Sequence, residues 1–190
     1  MTRRVRDPDR GARILRAAAA LFYERGFHAV SVDEIGAAVD ATGAAIYRHF
    51  ASKDEILATL FDEALDRYVA ALPDAMEDPW DELAELIDRT LRITLEQREL
   101  ASVWAREERA LSESSLRRIR HRERQLVLRW TECLERCVTG RSERDLLAAS
   151  RAAIGTIVAI ATGPEVLAVG DPQAAIVRDF VIGGLRSLAA

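Results

Sequence analysis

Four side chains in one short stretch, Tyr47, Arg48, His49 and Lys53, have the chemistry to meet an anion or a base edge. A phenol, an imidazole, a guanidinium and an ammonium all donate to phosphate oxygens, and a guanidinium also fits the edge of guanine. They follow Gly43, Ala44 and Ala45, whose small size lets a backbone come close to base edges and whose methyls can touch the thymine methyl. Thr42 is a good N-cap for a helix that begins there, and Ile46 and Phe50, four apart, give that helix an inward face. Upstream, Ser31 and Glu34 have the spacing of a capping box, with Val32, Ile35 and Val39 as the apolar face of another short helix. A second box, Ser52 with Glu55, starts a further helix just after Phe50. Two short helices about a tight turn at 40–43, the second presenting small and cationic groups, is how a helix-turn-helix enters a major groove. An ordinary helical hairpin with a solvated polar face fits the same composition, and the residue types alone leave both readings open.

The wider stretch 14–61 resembles the N-terminal domain of the TetR family of bacterial transcriptional regulators. The similarity runs without a gap over about 48 residues. It is carried by the A-x-x-L-F-x-x-x-G-F segment from Ala18 to Phe27, the helix from Ser31 to Val39, the I-Y-x-H-F run from Ile46 to Phe50, and the S-K segment at Ser52 and Lys53 leading to Ile56. The resemblance implies binding to a double-stranded DNA operator through Ser31, Thr42, Gly43, Ala44, Ala45, Tyr47, Arg48, His49 and Lys53. It also implies dimerisation through the last two helices, a small-molecule effector, and repression as the common mode of control. Asp40 departs from the pattern, standing where the family often has glycine.

Composition agrees with an all-α chain. Hydrophobic residues make up 49% of the 190, and glycine and proline together number only 15, which suits neither disorder nor a turn-rich β architecture. Alanine, leucine, arginine and glutamate, all good helix formers, dominate. The net charge of −4 is unevenly spread: residues 1–55 sum to +1 and the remainder to −5, so only a local surface of the first part can face phosphate. Arg3, Arg4 and Arg6 form a basic arm that either reaches a minor groove or hangs free. Cys133 and Cys137 are expected as apolar thiols rather than metal ligands, since no histidine is near them in sequence. The charged N-terminus has no apolar core, and no apolar run is expected to reach the ~20 residues of a membrane span. A cytoplasmic protein with no membrane partner is therefore expected.

The remaining elements follow from periodicity. Helices are expected at 9–25, stopped by Gly26; at 53–72, ended by Pro73; and at 80–98, 100–111, 116–138, 143–162 and 172–188, nine in all with the two short ones. The expected division is a helix-turn-helix domain at 1–55, a connecting helix at 53–72, and a ligand-binding and dimerisation domain at 73–190. In the latter, Ala152, Gly155 and Ala159 on one helix and Phe180, Gly183 and Gly184 on the next allow close helix approach. They read as half of a four-helix bundle completed by a second copy, or as a tight intramolecular hairpin.

A ligand site is sought in the middle helices. Glu107 and Glu123 fall on apolar stripes, so each needs a cation, a donor, a ligand or an outward rotamer. Trp104 and Trp130 lie near them in sequence, and Arg120 sits in an arginine-dense run at 117–124 that could receive the phosphates of an acyl-coenzyme A. Arginine–glutamate pairs stitching the helices account for the same residues. The 104–111 stretch is weakly similar to TetR members that sense acyl-CoA thioesters. No nucleophile elbow, zinc-protease motif or phosphate loop is present, so catalysis and a bound cofactor are not expected. A helical small-molecule-binding protein or enzyme with a vestigial helix-turn-helix, and a DNA-binding dimer without an effector, remain as alternatives.

Overall fold

Ser31 does open a helix as its spacing requires. Its hydroxyl accepts the Glu34 N–H at 3.2 Å, while the Glu34 carboxylate accepts the Ser31 N–H at 2.8 Å. In the computed structural model, which describes residues 8–163 and 167–189, nine α-helices and no strand are found among the described residues. They are α1 Pro8–Arg25, α2 Val32–Ala37, α3 Gly43–Ile46, α4 Lys53–Ala70, α5 Pro79–Glu96, α6 Arg98–Glu107, α7 Glu113–Cys137, α8 Glu143–Thr162 and α9 Gln173–Arg186. The basic arm at Arg3, Arg4 and Arg6 lies outside the described residues.

The chain divides into two compact units. The first holds residues 1–63 and 102–119, the second 64–101 and 120–190. The expected break at 73–79 follows the chain linearly. The compact units instead divide α4 after Glu63 and place the end of α6 and the start of α7 with the helix-turn-helix. Helices α4, α6 and α7 therefore each contribute residues to both units.

In the first unit, Ile14, Ala18 and Phe22 of α1 are fully buried with Ile35 of α2, Ile46 of α3 and Ile56 and Leu57 of α4. Gly26 closes α1 at φ +82°, donating its N–H to Phe22 O at 3.0 Å, a backbone conformation open to glycine at little cost. In the second unit, α5 gives Leu83, Leu86, Ile87, Leu91 and Leu95 to one apolar cluster. It packs there against α7 (Trp130, Cys133, Leu134), α8 (Leu146, Ala153, Ile157) and α9 (Val177, Val181, Leu185).

One carboxylate in that unit is almost completely buried. Glu82, 1% exposed, meets Arg129 at 2.9 Å and Arg136 at 2.6 Å, and accepts the Met76 N–H at 2.9 Å. Burial pushes its carboxyl pKa up, but the Met76 N–H and the two guanidiniums outweigh that and leave it below the ordinary carboxylate value. Cys133 is buried and Cys137 half-buried, and burial pushes their thiols up to about 12 and about 11. No group of residues able to hold a metal is found among the described residues.

The expectation about apolar length needs correction for α8. It has 20 residues, and an 18-residue window with a mean hydropathy of 1.4 makes it long and apolar enough to cross a bilayer by length and composition. Alanine, isoleucine, leucine and valine raise that value. They do so because α8 serves a core with Leu146, Ala153, Ile157 and Ala161 and carries small residues elsewhere.

Candidate nucleic-acid interface

The turn between α2 and α3 is built from backbone hydrogen bonds. Gly36 O accepts from Val39 N at 3.0 Å and from Ala41 N at 2.9 Å, and Ala37 O accepts from Asp40 N at 3.4 Å. That is a Schellman closure with Asp40 in the left-handed position, φ +53°, which glycine usually fills. Thr42 then caps α3, its hydroxyl accepting the Ala45 N–H at 3.3 Å.

Two substitutions in this turn are expected to act with opposite sign. A Cβ on Gly36 would stand 2.7 Å from Ala41 O, 3.2 Å from Thr42 C and 3.3 Å from Gly43 N, all backbone atoms that cannot swing aside. Gly36→Ala should destabilise the protein by about 2 kcal/mol, the usual cost of overpacking. Asp40→Gly should stabilise it by about 0.5 kcal/mol, since relief of the left-handed strain exceeds the added chain entropy. Thermal unfolding of the two variants checks both; equal melting temperatures would contradict the geometry.

The face that α3 and its following turn present is narrower than expected. Ala44, Tyr47, Arg48 and His49 are exposed, Tyr47 to 55%. Gly43 and Ala45 are buried instead, and a Cβ at Gly43 would collide with the Asp33 carboxylate. The reason is the helical period: with Ile46 inward, Ala45 and Gly43 lie on either side of it, about 100° and 60° around the helix, and both border the packed face. Ser31 and Thr42 are exposed caps at the N-termini of the two helices. Glu34, held by the Ser31 N–H and hydroxyl and by Arg25 at 2.7 Å, has its carboxyl lowered to about 2 and so stays anionic beside the Ser31 cap.

Lys53 is engaged within the first unit. Its ammonium is turned inward, donating to Phe27 O at 2.8 Å and Val30 O at 2.7 Å and lying 4.3 Å from the centre of the Phe27 ring. At the start of α4 those carbonyls of the α1–α2 linker are the nearest acceptors, and they take the charge. The Ser52 hydroxyl accepts the Glu55 N–H at 3.0 Å as expected. The return bond of that box goes one residue further, from Ala51 N–H to the Glu55 carboxylate.

The five residues sought as a ligand site are not brought together within either unit. In the first, Trp104 packs edge-to-face on Phe61 at 4.8 Å, and Glu107 accepts the Phe27 N–H at 3.2 Å. Glu107 thus has a hydrogen-bond donor for a partner. In the second, Trp130 is 3% exposed within the apolar cluster, Glu123 is half-buried and Arg120 is exposed. The arginine run pairs with carboxylates: Arg118 with Asp62 at 2.8 Å, Arg122 with Asp66, and Arg117 with Glu113. Those pairings favour the stitching reading over a phosphate cradle.

Sequence reasoning passed over a polar seam on α5. Thr90, Thr94 and Gln97, spaced to share a helix face, are all buried in the second unit. Thr94 Oγ1 donates to Thr90 O at 2.7 Å and meets the Tyr68 hydroxyl at 3.0 Å, while the buried Gln97 Nε2 has no partner. The signal was legible as three polar residues on an otherwise apolar face. A hollow of about 650 Å³ lined by Met76, Glu77, Asp78, Pro79 and Asp81 opens before α5. Its three carboxylates repel anions.

The family models match both parts of the chain. The model for the bacterial regulatory proteins of the tetR family covers residues 14–60, and a tetracyclin repressor-like C-terminal domain covers residues 76–162. The chain belongs to the TetR family. That is a family of DNA-binding transcriptional regulators, not of enzymes. The transposon Tn10 TetC protein of Escherichia coli is 31% identical over 81 residues, 41% of this chain and 41% of that protein. The HTH-type transcriptional activator FasR of Mycolicibacterium smegmatis is 33% identical over 76 residues, 40% of this chain and 34% of that protein. The matched stretch thus spans less than half the length of either curated relative. Over nearly the whole fold, the crystal structure of AibR in complex with isovaleryl coenzyme A and operator DNA aligns with a TM-score of 0.75. It is 19% identical, covering 92% of this chain and 96% of that one.

Proposed function

We propose that this TetR-family chain is a ligand-responsive regulator. As a cytoplasmic homodimer it binds a palindromic DNA operator and leaves it when a small molecule occupies the second unit. The observation that carries the reading is the exposed Ala44, Tyr47, Arg48 and His49 face of a helix-turn-helix whose caps and turn are all made. Dimerisation is supported by Ile176 and Phe180 of α9, 69% and 71% exposed, beside exposed Gly183 and Gly184. On α8, Ala152, Gly155 and Ala159 are exposed as well. A Cβ built at Gly155, Gly183 or Gly184 meets nothing within 4 Å, so no packing within the chain demands glycine there. A second copy laying its own small-residue face on this one does.

Repression is the mode proposed, with release driven by the effector's preference for the form whose two heads do not match the half-sites. For the effector we propose a hydrophobic metabolite bearing a hydrogen-bond acceptor, of which an acyl-CoA is one case. The AibR complex with isovaleryl coenzyme A supports that class, and the buried, unpartnered Gln97 amide, three residues after Thr94, supports an acceptor oxygen. Of the residues first sought for a ligand, Glu123 and Arg120 are retained for this role only if binding displaces their present contacts.

The test is selection of bound duplexes from a random pool by the full-length protein, followed by release assays with acyl-CoAs of graded chain length. Enrichment of a sequence with two-fold symmetry, and its release by one length class, is the expected result. Uniform retention of every duplex would end the reading. Operator binding that no acyl-CoA or apolar acid relieves would leave a regulator without an effector of this class.

A further inference from the structure

The linker between α1 and α2 is held by charged side chains from two directions. Glu107, the last residue of α6, accepts the Phe27 N–H at 3.2 Å. Lys53, the first residue of α4, donates to the carbonyl of the same residue at 2.8 Å and to Val30 O at 2.7 Å. Both polar ends of Phe27 are therefore tied to charge. One residue earlier, Arg106 reaches Tyr23 O at 3.0 Å and lies over the Tyr23 ring, supplying a cation to the C-terminal turn of α1.

The same segment is fixed again further along. The Ser112 N–H donates to Asp54 Oδ1 at 2.6 Å, and the Ser115 hydroxyl to Asp54 Oδ2 at 3.2 Å. Asp54 is the neighbour of Lys53, so the start of α4 holds the linker with one residue and the start of α7 with the next. All of these contacts lie within the first unit. The linker ends at Ser31, the N-cap from which α2 begins.

We propose that Glu107 and Lys53 are positioning residues for DNA recognition. By gripping Phe27 they set the linker, and with it the aim of α2 and α3. The proposal rests on the DNA-binding reading above, and it gives both residues a part different from the ligand and phosphate contacts their types suggest. Charge-assisted hydrogen bonds suit the task because they are strong and directional, yet can be broken by moving one side chain. Segment 102–119 belongs on this account to the recognition machinery.

The experiment uses full-length Glu107→Ala, Glu107→Gln and Lys53→Met with the operator recovered by the wild type. Amide exchange is read at Phe27 and Val30 and, as a reference, at Phe22. In Glu107→Ala the Phe27 amide should exchange about tenfold faster and operator affinity should fall about tenfold, the scale of one hydrogen bond to a charged group. Affinity for unrelated duplex and its salt slope should not change, because no phosphate contact is removed. Glu107→Gln, whose carbonyl still accepts, should restore both values; a purely local loss of folding would instead raise exchange at Phe22 too. Lys53→Met should lower operator affinity with an unchanged salt slope. A slope smaller by about one unit would return Lys53 to the phosphate backbone and overturn its half of the proposal. Wild-type exchange and wild-type operator affinity in Glu107→Ala would overturn the other half. If the wild type selects no operator, the functional reading fails by itself and the exchange measurements still decide whether Glu107 grips the linker.

Discussion

Phe180→Arg is expected to leave a folded monomer that binds its operator at least a hundredfold more weakly. The side chain is 71% exposed, so little within the chain is lost by changing it. In an isologous dimer, however, the residue occurs twice, and two guanidiniums would be brought into an apolar helix seam without partners. Separating the copies removes the tether that makes the second half-site an intramolecular event, an advantage of roughly 10²–10⁴. Sedimentation equilibrium reads the mass, and titration of full operator against a single half-site reads the affinity. The variant's affinity for a half-site should match the wild type's. A variant that stays dimeric, or a monomer with undiminished operator affinity, would remove α8 and α9 from the proposed assembly.

Glu82→Ala is expected to cost about 3 kcal/mol of stability, within the range for breaking a buried charge pair. The substitution leaves the Met76 N–H without its acceptor and unpairs Arg129 and Arg136. The two arginines are 29% and 41% exposed at the side chain, so water recovers part of their loss and the low end of that range applies. For a chain of this size the melting temperature should drop by roughly 6–12 °C. The sign of the pH dependence follows from the lowered carboxyl. Stability from Glu82 is present above its ordinary value of 4.5 and is lost as pH falls through the lower folded value. Glu82→Gln should therefore be less stable than the wild type at neutral pH and converge on it in acid. Parallel stability curves for the two across that window would rule Glu82 out as the acid-sensitive group.

What could be read from the chain depended on sequence distance. Caps at Ser31, Thr42 and Ser52, the stop at Gly26 and the order of nine helices are settled by residues within four or five positions of one another, and they were legible. Glu82 was not. It looks like any acidic residue in the first turn of a helix, and its partners come 47 and 54 residues later. The contacts of Lys53 and Glu107 were hidden for the same reason, since they meet at Phe27 from 26 and 80 residues away. Gly43 and Ala45 illustrate a different limit. In a helix of four residues a shift of one position decides which side faces outward, and no periodicity can be read from so short a run.

The two thiols of α7 have a practical bearing on how this protein can be studied. Burial pushes both thiols well above their ordinary value, Cys133 further than Cys137, so both stay protonated at neutral pH. Electrophilic dyes and spin labels should thus pass over both. A cysteine newly placed on the outer surface of α9 or beside Tyr47 would react alone, so fluorescent reporters of pairing and of operator docking can be attached without first stripping the native sulfurs from the chain.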